Sequence, residues 1–229
     1  GDKAVEESTR AVAQALGCPR NEVFMASTGV IGQPLDWEKI AAVVPALIKT
    51  AREDSWATAA AAIMTTDTAP KSVAVRMEHG GRAYTIGAAA KGAGMVHPDM
   101  ATVLCFVTTD APAEPAWLQA TLGKVADDSL NMIDVDMDTS TSDMMLVFAN
   151  GAAGGEPLRG DHPAARAFTR ALREVAIRLA RELARDGEGA RTVIEVVVEG
   201  ARNRKDARRA ARTVASSPLV KTMVAGRDP

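Results

Sequence analysis

The sequence predicts a mixed α/β fold of one or two domains in 229 residues. Three observations carry that expectation. Residues 162–185 place Ala165, Phe168, Leu172, Val175, Leu179 and Leu183 on one stripe with helical period, the pattern of a helix buried along one side. Residues 72–78 and 82–86 alternate around His79-Gly80-Gly81, which reads as a β-hairpin. Residues 103–107 are an apolar run entered from a loop rich in glycine and proline, the pattern of a buried strand. Helices and strands do not follow one another in a regular βαβ alternation.

In chain order, residues 2–16 read as an amphipathic helix with Val5, Val12 and Leu16 on one side and Gly17 as its stop. Residues 22–32 begin as a short apolar strand and end in a Ser27-Thr28-Gly29 turn. Residues 35–51 form a second helix with Ile40, Val43, Val44, Leu47 and Ile48 at helical spacing, and Pro45 predicts a kink or break in it. Residues 55–63 continue as an alanine-dense helix, followed by the hydroxyl-rich loop 64–68. After the hairpin and the apolar run, a helix is expected over 116–130, a short strand over 131–136, a polar turn over 138–143 and a strand over 144–149. The long helix ends at Asp186-Gly-Glu-Gly-Ala190. A strand over 191–199 and a basic helix over 205–215 complete the order.

Composition excludes some functions. Net charge is −2 and aromatic residues are 3%, so no broad basic field for nucleic acid is expected. Arginines crowd into 159–212, but acidic residues are interleaved with them, which reads as a solvated face. No apolar run of membrane length and no signal-peptide pattern is present. The two cysteines, Cys18 and Cys105, and the three histidines, His79, His97 and His162, show no metal-ligand spacing, so no metal is expected. Cys105 in the apolar run reads as a buried thiol, and a reducing cytoplasm fits the cysteine usage.

The stretch with most chemistry is 91–110. Gly92 and Gly94 allow close backbone approach, and Thr102 stands where the loop becomes strand. That position suits a hydroxyl nucleophile, and equally a cut in which the Thr102 hydroxyl attacks the Ala101 carbonyl. Most threonines at strand starts are structural, and spacing alone does not choose. Ser27-Thr28-Gly29 is ordinary turn chemistry, yet it also points a hydroxyl and a glycine N–H at one spot, as an oxyanion needs. Lys91 reads as a loop lysine and Glu188, between two glycines, as a loop charge. His97 precedes a proline and is not expected to act as a base.

Several segments together resemble the ornithine acetyltransferase (glutamate N-acetyltransferase) family of arginine-biosynthesis enzymes. They are Lys91-Gly-Ala-Gly-Met95, Pro98-Asp-Met-Ala-Thr102, Thr108-Thr-Asp-Ala111, Ala26-Ser-Thr-Gly-Val-Ile-Gly32, Ile63-Met-Thr-Thr-Asp-Thr68, Asp138-Thr-Ser-Thr-Ser-Asp143, Asp186-Gly-Glu-Gly-Ala190 and Ser216-Ser-Pro-Leu-Val-Lys-Thr222. The resemblance covers nearly the whole chain. It implies a layered αββα sandwich of the ornithine acetyltransferase and N-terminal-nucleophile aminopeptidase type. It implies self-cleavage between Ala101 and Thr102, giving an α-chain of residues 1–101 and a β-chain of residues 102–229, with Thr102 as nucleophile and cleavage-site residue. Thr28 (hydroxyl) and Gly29 (main-chain N–H) fall on the oxyanion hole. Thr65, with Thr66 as its neighbour, Lys91, Thr102 and Glu188 fall on the substrate contacts. Glycine is usual in the family where this chain has Met137, which puts the local backbone there in question.

The implied activity moves the acetyl group of N-acetylornithine to glutamate through an acetyl-threonine enzyme, without metal or organic cofactor. Acetyl-CoA is the second donor in bifunctional members. Association of α and β chains, as a heterotetramer, and a cytoplasmic location are implied, with no nucleic-acid or membrane partner. The family continues beyond both ends of this sequence, so an excised domain is expected. The same fold also hosts N-terminal-threonine amidohydrolases and aminopeptidases, and paralogous acyltransferases of secondary metabolism. A non-catalytic relic used in assembly is the reading outside enzymes.

Overall fold

The computed structural model describes residues 1–97 and 103–228. The chain forms two compact units, Gly1–Ala59 and a second that begins at Ala60.

In the first unit, helix α1 (Asp2–Leu16) ends at Gly17, whose left-handed backbone (φ 71°) lets its N–H reach the Ala13 carbonyl. The buried side of α1 is its small-residue side, Ala4, Ser8, Thr9 and Ala13, while Val5 and Leu16 are exposed. The expected apolar stripe is therefore not the packed one; α1 packs with helix α2 (Trp37–Thr50) through side chains short enough for close approach. Asp36 caps α2 by accepting from the Lys39 N–H. The helix runs on through Pro45 without a break, although the proline has no N–H to donate and one hydrogen bond inside the helix is lost. Helix α3 (Trp56–Ala62) contains the boundary between the units.

The second unit is built on a four-stranded sheet with strand order β1-β2-β3-β4. Strands β1 (Lys71–His79) and β2 (Arg82–Lys91) are antiparallel, with His79 opposite Arg82. Gly80 (φ 58°) and Gly81 (φ 76°) make the two-residue turn, where positive φ at both positions matches the twist of the flanking strands. Strand β3 (Leu104–Thr109) pairs antiparallel with β2, placing Leu104 opposite Lys91. Strand β4 (Met144–Ala149) lies parallel to β3, with Leu104 opposite Met144. A parallel neighbour requires a crossover, and helix α4 (Pro115–Asp127) lies in that connection.

Helix α5 (Ala165–Arg185) packs on β1 and β2 and beside α4. All six residues of its expected stripe are buried, with Phe168, Leu172, Val175 and Leu183 wholly so. They close on Ile86, Ala88, Cys105 and Val107 of the sheet, which are also fully buried. Apolar burial of this kind is the main stabilising term, about 1.5–3 kcal/mol for each large side chain. Burial pushes the Cys105 thiol up to about 12.

Two helices, α6 (Arg204–Ala215) and α7 (Pro218–Gly226), follow, capped by the side chains of Asn203 and Ser217. The crowded arginines mostly meet carboxylates: Arg173 and Arg204 both reach Asp128, and Arg181 reaches Glu195.

Three expected strands differ. Residues 22–25, 131–136 and 191–199 carry no ladder among the described residues; Leu130–Met132 is a single 3-10 turn instead. Phe24 and Val197 are 60% and 70% exposed. Apolar sequence supplies a face for packing, but a strand needs a neighbouring backbone to pair with.

Candidate active site

The site in the second unit is assembled around a buried carboxylate. The loop after α3 turns at Asp67, whose side chain is wholly inaccessible. It accepts from the Gly92 N–H at 2.7 Å, the Lys71 ammonium at 2.7 Å and the Thr65 N–H at 3.2 Å. Burial works against the charge, yet these donors outweigh it and hold the Asp67 carboxyl below the usual carboxylate range. Gly92 (φ 151°) ends β2 in a conformation that favours glycine, and this aims its N–H at Asp67.

Lys71, at the start of β1, lies between two carboxylates, Asp67 and Asp186, the latter at 2.5 Å. Asp186 follows the last residue of α5 and also accepts from the Thr68 N–H at 2.9 Å and from the Thr68 hydroxyl. Its burial is again opposed and overcome, by Lys71 and Thr68, and its carboxyl lies at about 2. Lys71 thus ties the 65–68 loop, the edge of the sheet and the end of α5 together.

Lys91, the last residue of β2, is 2% exposed. Its ammonium stands 4.0 Å from Asp67, beyond hydrogen-bond reach. Desolvation pulls the Lys91 pKa down; Asp67 and Glu188 oppose this, and Lys71 adds to it. Glu188 arrives from the turn after α5, with its N–H donating to the Ala93 carbonyl at 2.8 Å. Its carboxylate lies over Gly94, where a side-chain carbon would stand 2.6 Å from it. Lys91 and Glu188 therefore bring opposite charges to the two ends of the segment 91–94, with Thr65 joined to them through Asp67.

The loop that continues from Gly94 is held by acidic residues from a stretch expected as a short strand, 131–136. Asp136 accepts from the Met95 and Val96 N–H groups at 2.6 and 2.9 Å. His97 is 3.5 Å from the buried carboxylate of Asp134, which also pairs with Lys221 at 3.3 Å. Ala101 and Thr102, the expected cleavage site and nucleophile, lie outside the described residues. The chain resumes at Val103, whose N–H donates to Asp143 at 3.0 Å and whose carbonyl accepts from Met144. Burial raises the Asp143 carboxyl to about 6, against the lowering effect of the Val103 N–H. Val96 and Val103 are thus both held by carboxylates of residues 134–143.

Met137 in that loop has φ 67°, a left-handed backbone that a glycine would adopt without strain. The Met137 N–H donates to Asp134 at 3.0 Å. Thr28 and Gly29 belong to the first unit, in a stretch without regular structure; Gly29 is exposed and Thr28 half-buried. Among the described residues no group of three or more His, Cys, Asp or Glu is arranged to hold a metal ion. Asp67, Lys71 and Asp186 were not singled out by the sequence. The available signal was two charged residues, Asp67 and Lys71, four apart at the entry to a strand.

Comparison with known proteins agrees with the α/β fold class. The chain is 48% identical over 232 residues to the arginine biosynthesis bifunctional protein ArgJ of Nitrobacter winogradskyi, covering all of this chain and 56% of that protein. It is 51% identical over 228 residues to the protein of the same name from Symbiobacterium thermophilum, covering all of this chain and 57% of that protein. The crystal structure of arginine biosynthesis bifunctional protein ArgJ from Bacillus halodurans matches with a TM-score of 0.52 and 45% identity, over 54% of this chain and 58% of that one. The fold is thus the α/β sandwich class expected from the sequence. The chain spans just over half the length of the curated relatives it matches. The ArgJ family profile matches residues 1–229, and with these identities the chain belongs to the ArgJ family.

Proposed function

We propose that this chain carries the amino-acid-binding and acyl-transfer centre of an enzyme of arginine biosynthesis, one that moves the acetyl group of N-acetylornithine to glutamate. The observation that supports it best is the placement of buried Lys91 and of the Glu188 carboxylate at the two ends of the 91–94 segment. A free amino acid presents a carboxylate and an ammonium, and a cation and an anion at the two ends of one segment match that pattern. The names of the relatives agree with the pathway.

In this reading the Thr102 hydroxyl attacks the Ala101 carbonyl carbon, and the bond to the Thr102 nitrogen breaks as that nitrogen takes up a proton. Water then hydrolyses the ester, leaving residues 1–101 as one chain and a new N-terminus at Thr102. The freed α-amine, with an ordinary pKa near 7.7–8.0, serves as the base for its own hydroxyl. The hydroxyl attacks the acetyl carbon of N-acetylornithine. Thr28 and Gly29 donate to the oxyanion, at about 2.7–4 kcal/mol per donor in a comparable hole. Ornithine leaves with the proton, glutamate enters, and its amine takes the acetyl group in a ping-pong sequence. Lys91 holds the substrate carboxylate, Glu188 the ammonium that stays free, and Thr65 adds a hydroxyl contact. The scheme uses neither metal nor organic cofactor, and acetyl-CoA is a second donor if this member is bifunctional. The two cleaved chains assemble as a heterotetramer in the cytoplasm. No helix among the described residues is long and apolar enough to cross a membrane.

Mass spectrometry of the full-length protein tests the first step: two fragments meeting at Ala101 and Thr102 are expected, and one uncut chain for Thr102→Ala. Cleavage that persists in the mutant removes Thr102 from its role. Incubation with N-acetylornithine and glutamate tests the second, with N-acetylglutamate expected. Free acetate as the only product would point to an amidohydrolase instead.

A further inference from the structure

We propose that Asp67 is the positioning residue of the amino-acid site: its buried carboxylate faces Lys91 and holds it beside Thr65, while Lys71 fixes Asp67 in place. The proposal deepens the reading of Lys91 as the ligand of the substrate carboxylate.

Two buried lysines face one carboxylate here, and they are held differently. Lys71 makes short contacts to Asp67 (2.7 Å) and Asp186 (2.5 Å), so its charge is neutralised within the fold. Lys91 stays at 4.0 Å from the other Asp67 oxygen. At that separation Asp67 acts on the Lys91 charge without forming a tight pair with it. Its ammonium donors therefore remain directed to an incoming anion.

The same Asp67 carboxylate takes the N–H groups of Thr65 and of Gly92, the residue next to Lys91. Movement of Asp67 would shift both. Asp186 extends the frame: Lys71 and Thr68 anchor it, and Glu188 follows two residues later with its own N–H on Ala93.

Charge balance explains why the frame needs Asp67. Lys91 is desolvated, and Lys71 is a like charge beside it. Asp67 and Glu188 are the opposing carboxylates that face it, with Asp186 paired on the far side of Lys71. Without Asp67, Glu188 alone would offset burial and Lys71. Glu188 would then be drawn to Lys91 and away from its role with the substrate ammonium.

The test uses the full-length protein with lysines carrying 13C at the ε-carbon, each assigned by Lys→Arg substitution. In Asp67→Asn, which keeps shape and an acceptor, the Lys91 titration should fall by about one pH unit or more. The alkaline limb of kcat/KM for glutamate should fall with it. A folded variant with an unmoved Lys91 titration overturns the proposal. If Asp67→Asn fails to fold, Lys71→Met gives the converse: Asp67 loses its tight partner, Lys91 is drawn onto it, and KM for glutamate rises about tenfold or more. An unchanged KM in folded Lys71→Met overturns the proposal as well. If the Lys91 titration moves but the glutamate profile does not follow, the role of Asp67 toward Lys91 stands and the assignment of Lys91 to the substrate carboxylate falls.

Discussion

Replacing Gly94 with alanine separates site geometry from fold stability. The new methyl would stand 2.6 Å from the carboxylate carbon and one oxygen of Glu188, and 2.8 Å from the other oxygen. Ordinary contact begins near 3.4 Å, so the carboxylate must retreat by about 0.8 Å. Gly94 is not in the left-handed region, and Glu188 is an exposed side chain with room to swing outward. The stability cost should therefore stay below about 1 kcal/mol. The functional cost should be larger, because a group misplaced by about 1 Å can lose up to about 10²-fold in rate. We expect kcat/KM for N-acetylornithine, the substrate that keeps a free ammonium, to fall about 10- to 100-fold in the full-length enzyme while the melting temperature stays within a few degrees. Adding Glu188→Asp, one methylene shorter, should recover part of the loss. Wild-type kcat/KM in Gly94→Ala would refute the placement of Glu188 at the substrate. A loss matched by a large drop in melting temperature would refute the claim that the effect is local.

Three further outcomes are expected. Met137→Gly should raise stability by up to about 1 kcal/mol, read by urea denaturation, because a side chain at φ 67° carries a left-handed penalty that glycine avoids; a destabilised variant would show that the Met137 side chain matters more. Asp186 lies at about 2 in the fold against an ordinary 3.8, so its pairing is fully stabilising above pH 3.8 and is lost as pH falls through 2. That gap is worth about 2 kcal/mol, and Asp186→Asn should flatten the acid limb of melting temperature against pH by that amount; an unaltered limb argues against the Lys71–Asp186 pair. Asp143 behaves oppositely. Its folded carboxyl lies at about 6, so its contribution is present below pH 3.8 and declines as pH rises through 6. Asp143→Asn keeps an acceptor for Val103 and should gain on the wild type between pH 4 and 7.5, by about 3 kcal/mol at most; a difference that does not change with pH would contradict the burial of that charge.

The long helix was readable because its six stripe residues repeat at one period and all become core. The hairpin was readable because two adjacent glycines can adopt the positive φ that a two-residue turn demands. Residues 191–199 look as apolar as β3, but pairing depends on what lies alongside, and local sequence does not contain that. In α1 the packed side was the small one, since close helix contact selects for short side chains rather than hydrophobic ones. Lys91 and Glu188 were identifiable only through the family segments, because a lysine and a glutamate among glycines read as solvent charges. The frame around them was less legible still. Asp67, Lys71 and Asp186 acquire meaning only when residues more than 100 apart in sequence meet, as Lys71 and Asp186 do.

Cys105 offers one practical consequence. A sulfhydryl that ionises only near 12 and touches no solvent will not react with maleimides or iodoacetamide in neutral buffer. The chain's other thiol, Cys18, is partly accessible and sits just past the end of the first helix. A fluorophore or spin label can therefore be attached to the N-terminal unit alone without engineering a handle, and its spectrum will follow that unit separately from the sheet-based one.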